Sequence, residues 1–500
     1  MNLVRALAGR PPLPPGPYLV AGFARAGSAA LERLSGLGVP AREIAAWDAV
    51  ARADFAVLHH DLAARGAHLQ TGGDPLALLD RDPRPACLVK SPGMPADHPL
   101  PAAAAARGLP VIDEAELAWR LDGRPWIGVT GTNGKSTVCA LVAVALRVTG
   151  HRPVVAGNVQ GGPALSLADP AADVVVAELS SFQLESSPAL LPELAVLTNL
   201  TRDHLDRHGD MAGYLRAKRR LFLRPAAAVG HAVLPADGRA GPALAAELRA
   251  AGATVTTVGT HRRAEVRVRD PECSFAGTAA TVELPGGTSL RLRTRAIGSH
   301  MALNAAMALA AAIAWGVDAE RAVAAIAEAD PVPGRLERVP CPHGFEVLVD
   351  FAHNAAGVRA ALSTARALAE AAGGRLLVVL SILSVFARPQ RRAVGRAAGA
   401  IADVLVLTND RWRADEPADR LPSGLETGAR AAGYAEIEVV PDRRSAIARG
   451  LALAEPGDIV VIAGRGSMTS QVGRDGRREP FDDRLVAREL VARVPQPARA

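Results

Sequence analysis

The chain has 500 residues, 49% of them hydrophobic and 22% charged, with a formal net charge of +6 and a sequence pI of about 9.6. That length suits about two to four domains, and the composition is that of soluble globular proteins. The mild basic excess fits either a solvated surface or affinity for anionic small molecules; with no lysine-rich tail or basic-aromatic stripe, it makes no case for nucleic acid.

Cys87, Cys139, Cys273 and Cys341 show no CxxC or Cys/His spacing, so a reducing compartment without structural zinc is expected. No apolar stretch of the signal-peptide kind opens the sequence, and the longest apolar run, around 303–317, is too short to span a membrane. A cytoplasmic location is the expectation.

Residues 17–31, PYLVAGFARAGSAAL, read as strand, glycine turn and helix, with the strand at Tyr18–Ala21 and Gly22 and Gly27 punctuating the turn. Such a turn can open a nucleotide-binding βαβ unit, although many α/β domains carry one for packing alone. Another strand ends at CLVKSPGMP (87–95), VIDEAELAWRL (111–121) passes from strand to helix, and DGRP (122–125) reads as a linker. At 126–150, WIGVTGTNGKSTVCALVAVALRVTG begins a second α/β unit: strand, glycine-rich loop, long apolar helix. Buried strands follow at DVVVAEL (173–179) and LAVLTNL (194–200), then short β-like runs over 252–297 and a helix near 300–316. PVPGR (331–335) reads as a hinge. Beyond it FEVLVDF (345–351), RLLVVLS (375–381), ADVLVLTND (402–410) and DIVVIAG (458–464) mark a third α/β domain.

GTNGKST (131–137) carries the strongest chemical signal. Backbone N–H groups of Gly131, Thr132, Asn133 and Gly134 at a helix N-terminus can cradle phosphate oxygens. Lys135 would reach the β- and γ-phosphates, and Ser136 or Thr137 would offer a hydroxyl to Mg²⁺. Val129 stands where a strict phosphate loop has its first glycine, so the loop is a variant. In AELSSFQLE (177–185), Glu178 ends a buried strand, where a carboxylate is costly unless paired, for example with a metal beside a triphosphate. TNLTRDHLDRHG (198–209) crowds two histidines and two aspartates into a turn, and His204 could ligate a metal; a solvated polar loop is the plain alternative. Only three lysines occur, Lys90, Lys135 and Lys218, and Lys218 lies in the helical stretch YLRAKRRLF (214–222).

In that order, GTNGKST, ELSSFQLE, NLTRDHLDRHG and YLRAKRRLF resemble the central domain of the Mur ligases, the ATP-dependent enzymes that add amino acids to the peptidoglycan precursor. ELSSFQLE, DHLDRHG and the stretch KSPGMPADHPLPAAAAARGLPVIDEAELAWR (90–120) are most similar to the D-glutamate-adding branch. The resemblance implies a three-domain α/β fold: an N-terminal Rossmann-like, UDP-binding domain (1–122), a central P-loop ATPase-like domain (123–332) and a C-terminal Rossmann-like domain for amino acid and ATP contacts (333–500).

It also implies roles for single residues. Lys135 and its loop would bind ATP; Ser136, Thr137, Glu178 and His204 would hold metal, with two Mg²⁺ ions in all. Lys218 matches a lysine carried as a CO₂-derived carbamate beside the second ion. Asn304 would approach the adenine, and Arg335 and Asp350 would contact ATP, with His353 close by. Gly22, Gly27, Asp48, Ser91, Pro92 and Gly93 would bind the uridine diphosphate end, and Asn158 would sit near the substrate. Lys135, Lys218 and His204 are the expected catalytic residues.

The departures concern binding surfaces. Met301 replaces an asparagine in GSHMALN (298–304), and Ala26 stands where a hydroxyl residue is usual. DFAHN (350–354), TNDRWRADEP (408–417), VVPDRRSAI (439–447) and PFDDRLVARELV (480–491) lean towards the branch that adds the third residue. That branch's diaminopimelate motif, Asp-Asn-Pro-Arg, is half present as Asp410 and Arg413, and its glutamate for the distal amine falls at Met468. No lysine in LSILSVFARPQRR (380–392) answers the one that grips D-glutamate. The expectation is a monomeric ligase joining D-glutamate to UDP-N-acetylmuramoyl-L-alanine through an acyl phosphate. The alternatives are a ligase for another amino acid (third-residue, L-glutamate or poly-amino-acid addition) and a non-catalytic UDP-sugar-binding relative.

Overall fold

The computed structural model describes residues 10–494 apart from 23–24, 50–59, 96, 160–163, 165–168, 170, 383–387, 410–423 and 473–477. The chain forms two compact units: Met1–Leu200, Arg207–Ala264 and Met307–Ala322 make the first, and Thr201–Asp206, Glu265–Ala306 and Val323–Ala500 the second.

The first unit holds two parallel sheets. Strands β1 (Tyr18–Ala21), β2 (Ile44–Asp48), β3 (His68–Thr71), β4 (Cys87–Lys90) and β5 (Val111–Asp113) line up in the order β3-β2-β1-β4-β5. β1 and β4 are buried along their whole length, as parallel strands covered on both faces should be. Because the order runs outwards in both directions from β1 and β4, a crevice opens beyond their C-terminal ends, the usual ligand position in such sheets. Gly22 and the turn Ser91–Gly93 lie there, where Ser91 N–H donates to Ala21 O at 2.8 Å. Gly27 is obligatory, since a Cβ would collide with Gly22 O.

The second sheet comprises β6 (Trp126–Thr130), β7 (Pro153–Gly157), β8 (Val174–Glu178), β9 (Leu194–Leu197), β12 (His231–Pro235) and β13 (Thr254–Gly259), ordered β13-β12-β9-β6-β8-β7. A two-residue hairpin, β10 (Leu223–Arg224) and β11 (Ala227–Ala228), lies between β9 and β12 in the chain. Trp126, Leu197, Leu221, Phe222 and Leu244 form the core on one face of this sheet. The helices Lys135–Arg147 and Met211–Arg219 bring the loop lysine and Lys218 into this unit.

In the second unit β14 (Val266–Ser274), β15 (Gly277–Glu283) and β16 (Ser289–Thr294) form an antiparallel meander. A six-stranded sheet follows: β17 (Glu337–Val339), β18 (Glu346–Asp350), β19 (Leu376–Leu380), β20 (Val404–Leu407), β21 (Glu436–Val439) and β22 (Ile459–Ala463), ordered β17-β18-β22-β19-β20-β21 and parallel except for β17. The hairpin β23 (Ser470–Val472) and β24 (Arg478–Pro480) completes the strands. β19, β20 and β22 are apolar and wholly buried, so their helices must cover both faces. No helix among the described residues is long and apolar enough to cross a membrane, and all four cysteines are free thiols.

Candidate active site

The residues expected from the sequence divide between the two units. In the first, the glycine loop links β6 to the helix Lys135–Arg147, whose N-cap Gly134 sits at φ 83°. Gly131 adopts φ 144°, and a Cβ there would run into Thr198 Oγ1. The residues following β9 hold the loop open. Thr132 N–H donates to Asn199 O and Asn133 N–H to Asn199 Oδ1, both at 3.0 Å. In return Thr198 Oγ1 and Asn199 Nδ2 donate to Asn133 O at 2.7 and 2.9 Å. Lys135 Nζ donates to Thr132 O at 2.9 Å, which folds its amine back over the loop.

Glu178 ends β8 and is only 3% exposed. Its Oε2 accepts from Ser136 Oγ at 2.6 Å and its Oε1 from Asn158 Nδ2 at 3.0 Å. A buried carboxylate met by neutral donors is suited to a cation, and together with the Ser136 hydroxyl it offers the hard oxygen donors that Mg²⁺ prefers. Lys218 is 2% exposed. Its Nζ donates to Gly131 O at 2.7 Å and Thr130 Oγ1 at 3.4 Å, and lies 4.6 Å from the centre of the Tyr214 ring. The helix aims it there because Asp210 caps the N-terminus, accepting from Gly213 N–H at 2.6 Å.

The N-terminal crevice brings Gly22, Gly27, Ser91, Pro92 and Gly93 to the ends of β1 and β4, while Asp48 ends the neighbouring β2. Beside them Lys90 Nζ lies 3.9 Å from Asp113 Oδ2, both side chains buried. Burial pushes the Asp113 carboxyl up to about 7, against the pull of Lys90 and of the Ala115 N–H that it caps. This acid binds its proton more tightly in the folded chain, so its contribution is full below its ordinary value and fades as pH rises to about 7. Asp113→Asn keeps the helix cap and should flatten that loss, by an amount on the order of a few kcal/mol. Urea midpoints read across this pH window would test it; an unchanged slope would contradict the assignment.

The second unit holds the other expected residues. His204 has φ 51°, a strained setting for a side chain with a Cβ. Asn304 Nδ2 donates to Met301 Sδ at 3.5 Å, so the methionine that departs from the family pattern supports the neighbouring asparagine. Asp350 accepts from Leu336 N–H at 2.8 Å and Ala352 N–H at 2.7 Å, tying the PVPGR turn to the end of β18. Arg335 lies over the Phe351 ring at 4.5 Å and helps line a cavity of about 330 Å³ with Phe275, Ile297 and Arg338. His353 Nδ1 faces Phe351 O at 3.1 Å. Asp410 and Arg413 lie outside the described residues.

Sequence reasoning missed Thr198, Asn199, Asp203 and Asn354. All are small polar residues in the loops that follow β9 and β18, and their importance shows only in the long-range bonds they make. The N–H groups of Thr132 and Asn133, expected to meet phosphate, are thus taken by Asn199; the glycine loop keeps a helix N-terminus beside Ser136 and a buried acidic strand end, an arrangement suited to a nucleotide-using α/β enzyme.

The chain belongs to the Mur ligase family, the ATP-dependent ligases of peptidoglycan synthesis, which join an amino acid to a UDP-N-acetylmuramoyl substrate. Residues 129–312 match the Mur ligase middle domain, and 334–466 the family described as "Mur ligase, glutamate ligase domain". The UDP-N-acetylmuramoyl-L-alanyl-D-glutamate–2,6-diaminopimelate ligase of Streptomyces avermitilis is 32% identical over 428 residues, covering 78% of this chain and 82% of that protein. Its counterpart from Geobacillus kaustophilus is 32% identical over 413 residues, covering 75% and 82%. A solved diaminopimelate ligase is 25% identical with a TM-score of 0.51, covering 81% of this chain and 92% of its own. UDP-N-acetylmuramate–alanine ligase of Thermotoga maritima shares the fold, with a TM-score of 0.59 at 20% identity over 96% and 99%.

These relatives overturn the expectation of a D-glutamate-adding enzyme, and with it the assignment to that branch. The motifs that suggested it follow β4, β8 and β9, the last two within the stretch matched by the family as a whole. They carry little information about the incoming amino acid.

Proposed function

We propose that this Mur ligase adds the third residue of the peptide, joining an amino acid of the 2,6-diaminopimelate class to a UDP-N-acetylmuramoyl dipeptide. The observation that carries this reading is the 32% identity, over most of both chains, to ligases named for that reaction. In this reading residues 1–122 take the uridine diphosphate end, 123–332 take ATP and 333–500 the amino acid. A carboxylate is a poor electrophile; bound ATP supplies the phosphoryl group that activates it, and Mg²⁺ supplies charge neutralisation. The work of the chain is then positioning. The loop 131–137, braced through Thr132 and Asn133, and Lys135 hold the phosphates. Glu178, Ser136, Thr137 and His204 hold metal. Lys218, carboxylated by CO₂, adds an anionic oxygen donor. Asn304, Arg335 and Asp350 serve the nucleotide, and His353 the acceptor side. Gly22, Gly27, Asp48, Ser91–Gly93 and Asn158 take the UDP-sugar.

Met468 favours a second reading, in which the amino acid lacks the distal ammonium that a carboxylate at this position would pair with. The test is phosphate release by the full chain with UDP-N-acetylmuramoyl-L-alanine or its D-glutamyl extension, against a panel of amino acids. Turnover is expected only with the dipeptide. Preference for diaminopimelate supports the first reading and preference for a monoamino acid the second; turnover with the monopeptide alone would defeat both.

A further inference from the structure

The Asp203 side chain is 3% exposed and both of its oxygens are engaged. Oδ1 accepts from Gln390 Nε2 at 2.8 Å and from the backbone N–H of His204 at 3.0 Å. Oδ2 accepts from Asn354 Nδ2 at 3.0 Å. The Nε2 atoms of His204 and His353 approach the same Oδ2, at 3.8 and 3.9 Å. One carboxylate thus sits between the two histidines that the sequence marks as functional, and it bonds the backbone of one of them.

The orientation of Asn354 is dictated by its second task. Its Oδ1 accepts from Gly357 N–H at 2.9 Å, capping the helix Ala355–Ala372, which leaves Nδ2 to face Asp203. An amide donor so fixed demands an acceptor opposite it. His204, one residue along, holds φ 51° while its N–H is bonded by the preceding side chain. A left-handed conformation at a residue with a Cβ is strained and persists when its surroundings impose it.

We propose that Asp203 is a positioning residue for the ligation. Its carboxylate, clamped by Asn354 and Gln390, imposes the left-handed turn that presents His204 for metal binding and sets His353 against the same oxygen. The inference rests on the reading of His204 as a metal residue. Partners that orient a ligand are typically worth about 10–100-fold in metal affinity or activity.

The test uses the full chain with Mn²⁺ as probe, titrated in the presence of ADP and followed by electron paramagnetic resonance, so no acceptor substrate is needed. Asp203→Asn sets an amide donor against Asn354 Nδ2 and should weaken Mn²⁺ binding about tenfold or more. The exchange Asp203→Asn with Asn354→Asp restores one donor and one acceptor and keeps the cap on Gly357; it should return binding to within about threefold of the native chain. Should Asp203→Asn fail to fold, Gln390→Leu removes a single donor and should weaken binding about threefold. Unchanged Mn²⁺ binding in His204→Ala would overturn the reading of His204 itself. Weakening in His204→Ala with none in Asp203→Asn or Gln390→Leu would overturn the role of Asp203. Loss in Asp203→Asn without recovery in the exchange would also overturn it, because the carboxylate would then act by some route other than Asn354.

Discussion

Lys218→Arg is expected to keep its positive charge and lose ligation by about a thousandfold, with Lys218→Ala equally inactive but partly restored by added formate or acetate. The Lys218 amine is enclosed beneath the phosphate loop, bonded to Gly131 O at 2.7 Å and flanked by the Tyr214 ring. Were charge alone required, guanidinium would supply it. A carbamate instead needs a neutral primary amine that can attack CO₂, and guanidinium stays protonated in proteins. Alanine opens space beside the loop in which a small free carboxylate can stand in for the missing oxygens. Steady-state phosphate release, with circular dichroism as the control for folding, reads the effect. Turnover near the native level in Lys218→Arg would remove the carbamate from the mechanism.

Lys135→Ala should lower kcat by about 10³-fold or more while weakening ATP binding far less. In the free chain its amine folds back onto Thr132 O at 2.9 Å, a bond it can exchange for a phosphate oxygen at little cost. The loop should keep its shape in the variant, since that rests on the bonds of Thr132 and Asn133 to Thr198 and Asn199 rather than on the lysine. Binding should therefore survive where charge stabilisation in the transition state does not. Fluorescent-nucleotide titration beside kcat separates the two; weakened nucleotide binding with kcat unchanged would show that Lys135 acts in ground-state binding alone.

How much of this could be read from the chain depended on how local each feature is. GTNGKST lies within seven consecutive residues, and its helix and strand follow from apolar runs on either side, so the loop was legible. So were β6, β8, β18, β19 and β22, whose continuous apolar stretches admit little else. The bracing of the loop by Thr198 and Asn199 was not, because about 65 residues separate the partners. Nor was the placement of 201–206, which the chain reaches after β9 of the first unit but which packs with residues of the second. The amino-acid preference was misread for a different reason. ELSSFQLE and DHLDRHG are conspicuous motifs, yet in the proposed function they serve ATP and metal rather than the amino acid. In the proposed function the residues that meet the incoming amino acid belong to 333–500, at scattered positions such as 468 that form no contiguous pattern.

The scarcity of lysine has a consequence for chemoselectivity. CO₂ reacts with neutral primary amines and ignores guanidinium, so a surface whose cations are arginines offers it almost nothing. Of the three ε-amines, Lys90 is sequestered against Asp113, while Lys135 and Lys218 both border the phosphate loop. If Lys218 is carboxylated as proposed, arginine elsewhere is a silent background of charge: composition narrows the reagent's targets to three ε-amines, and local geometry has only those to choose among.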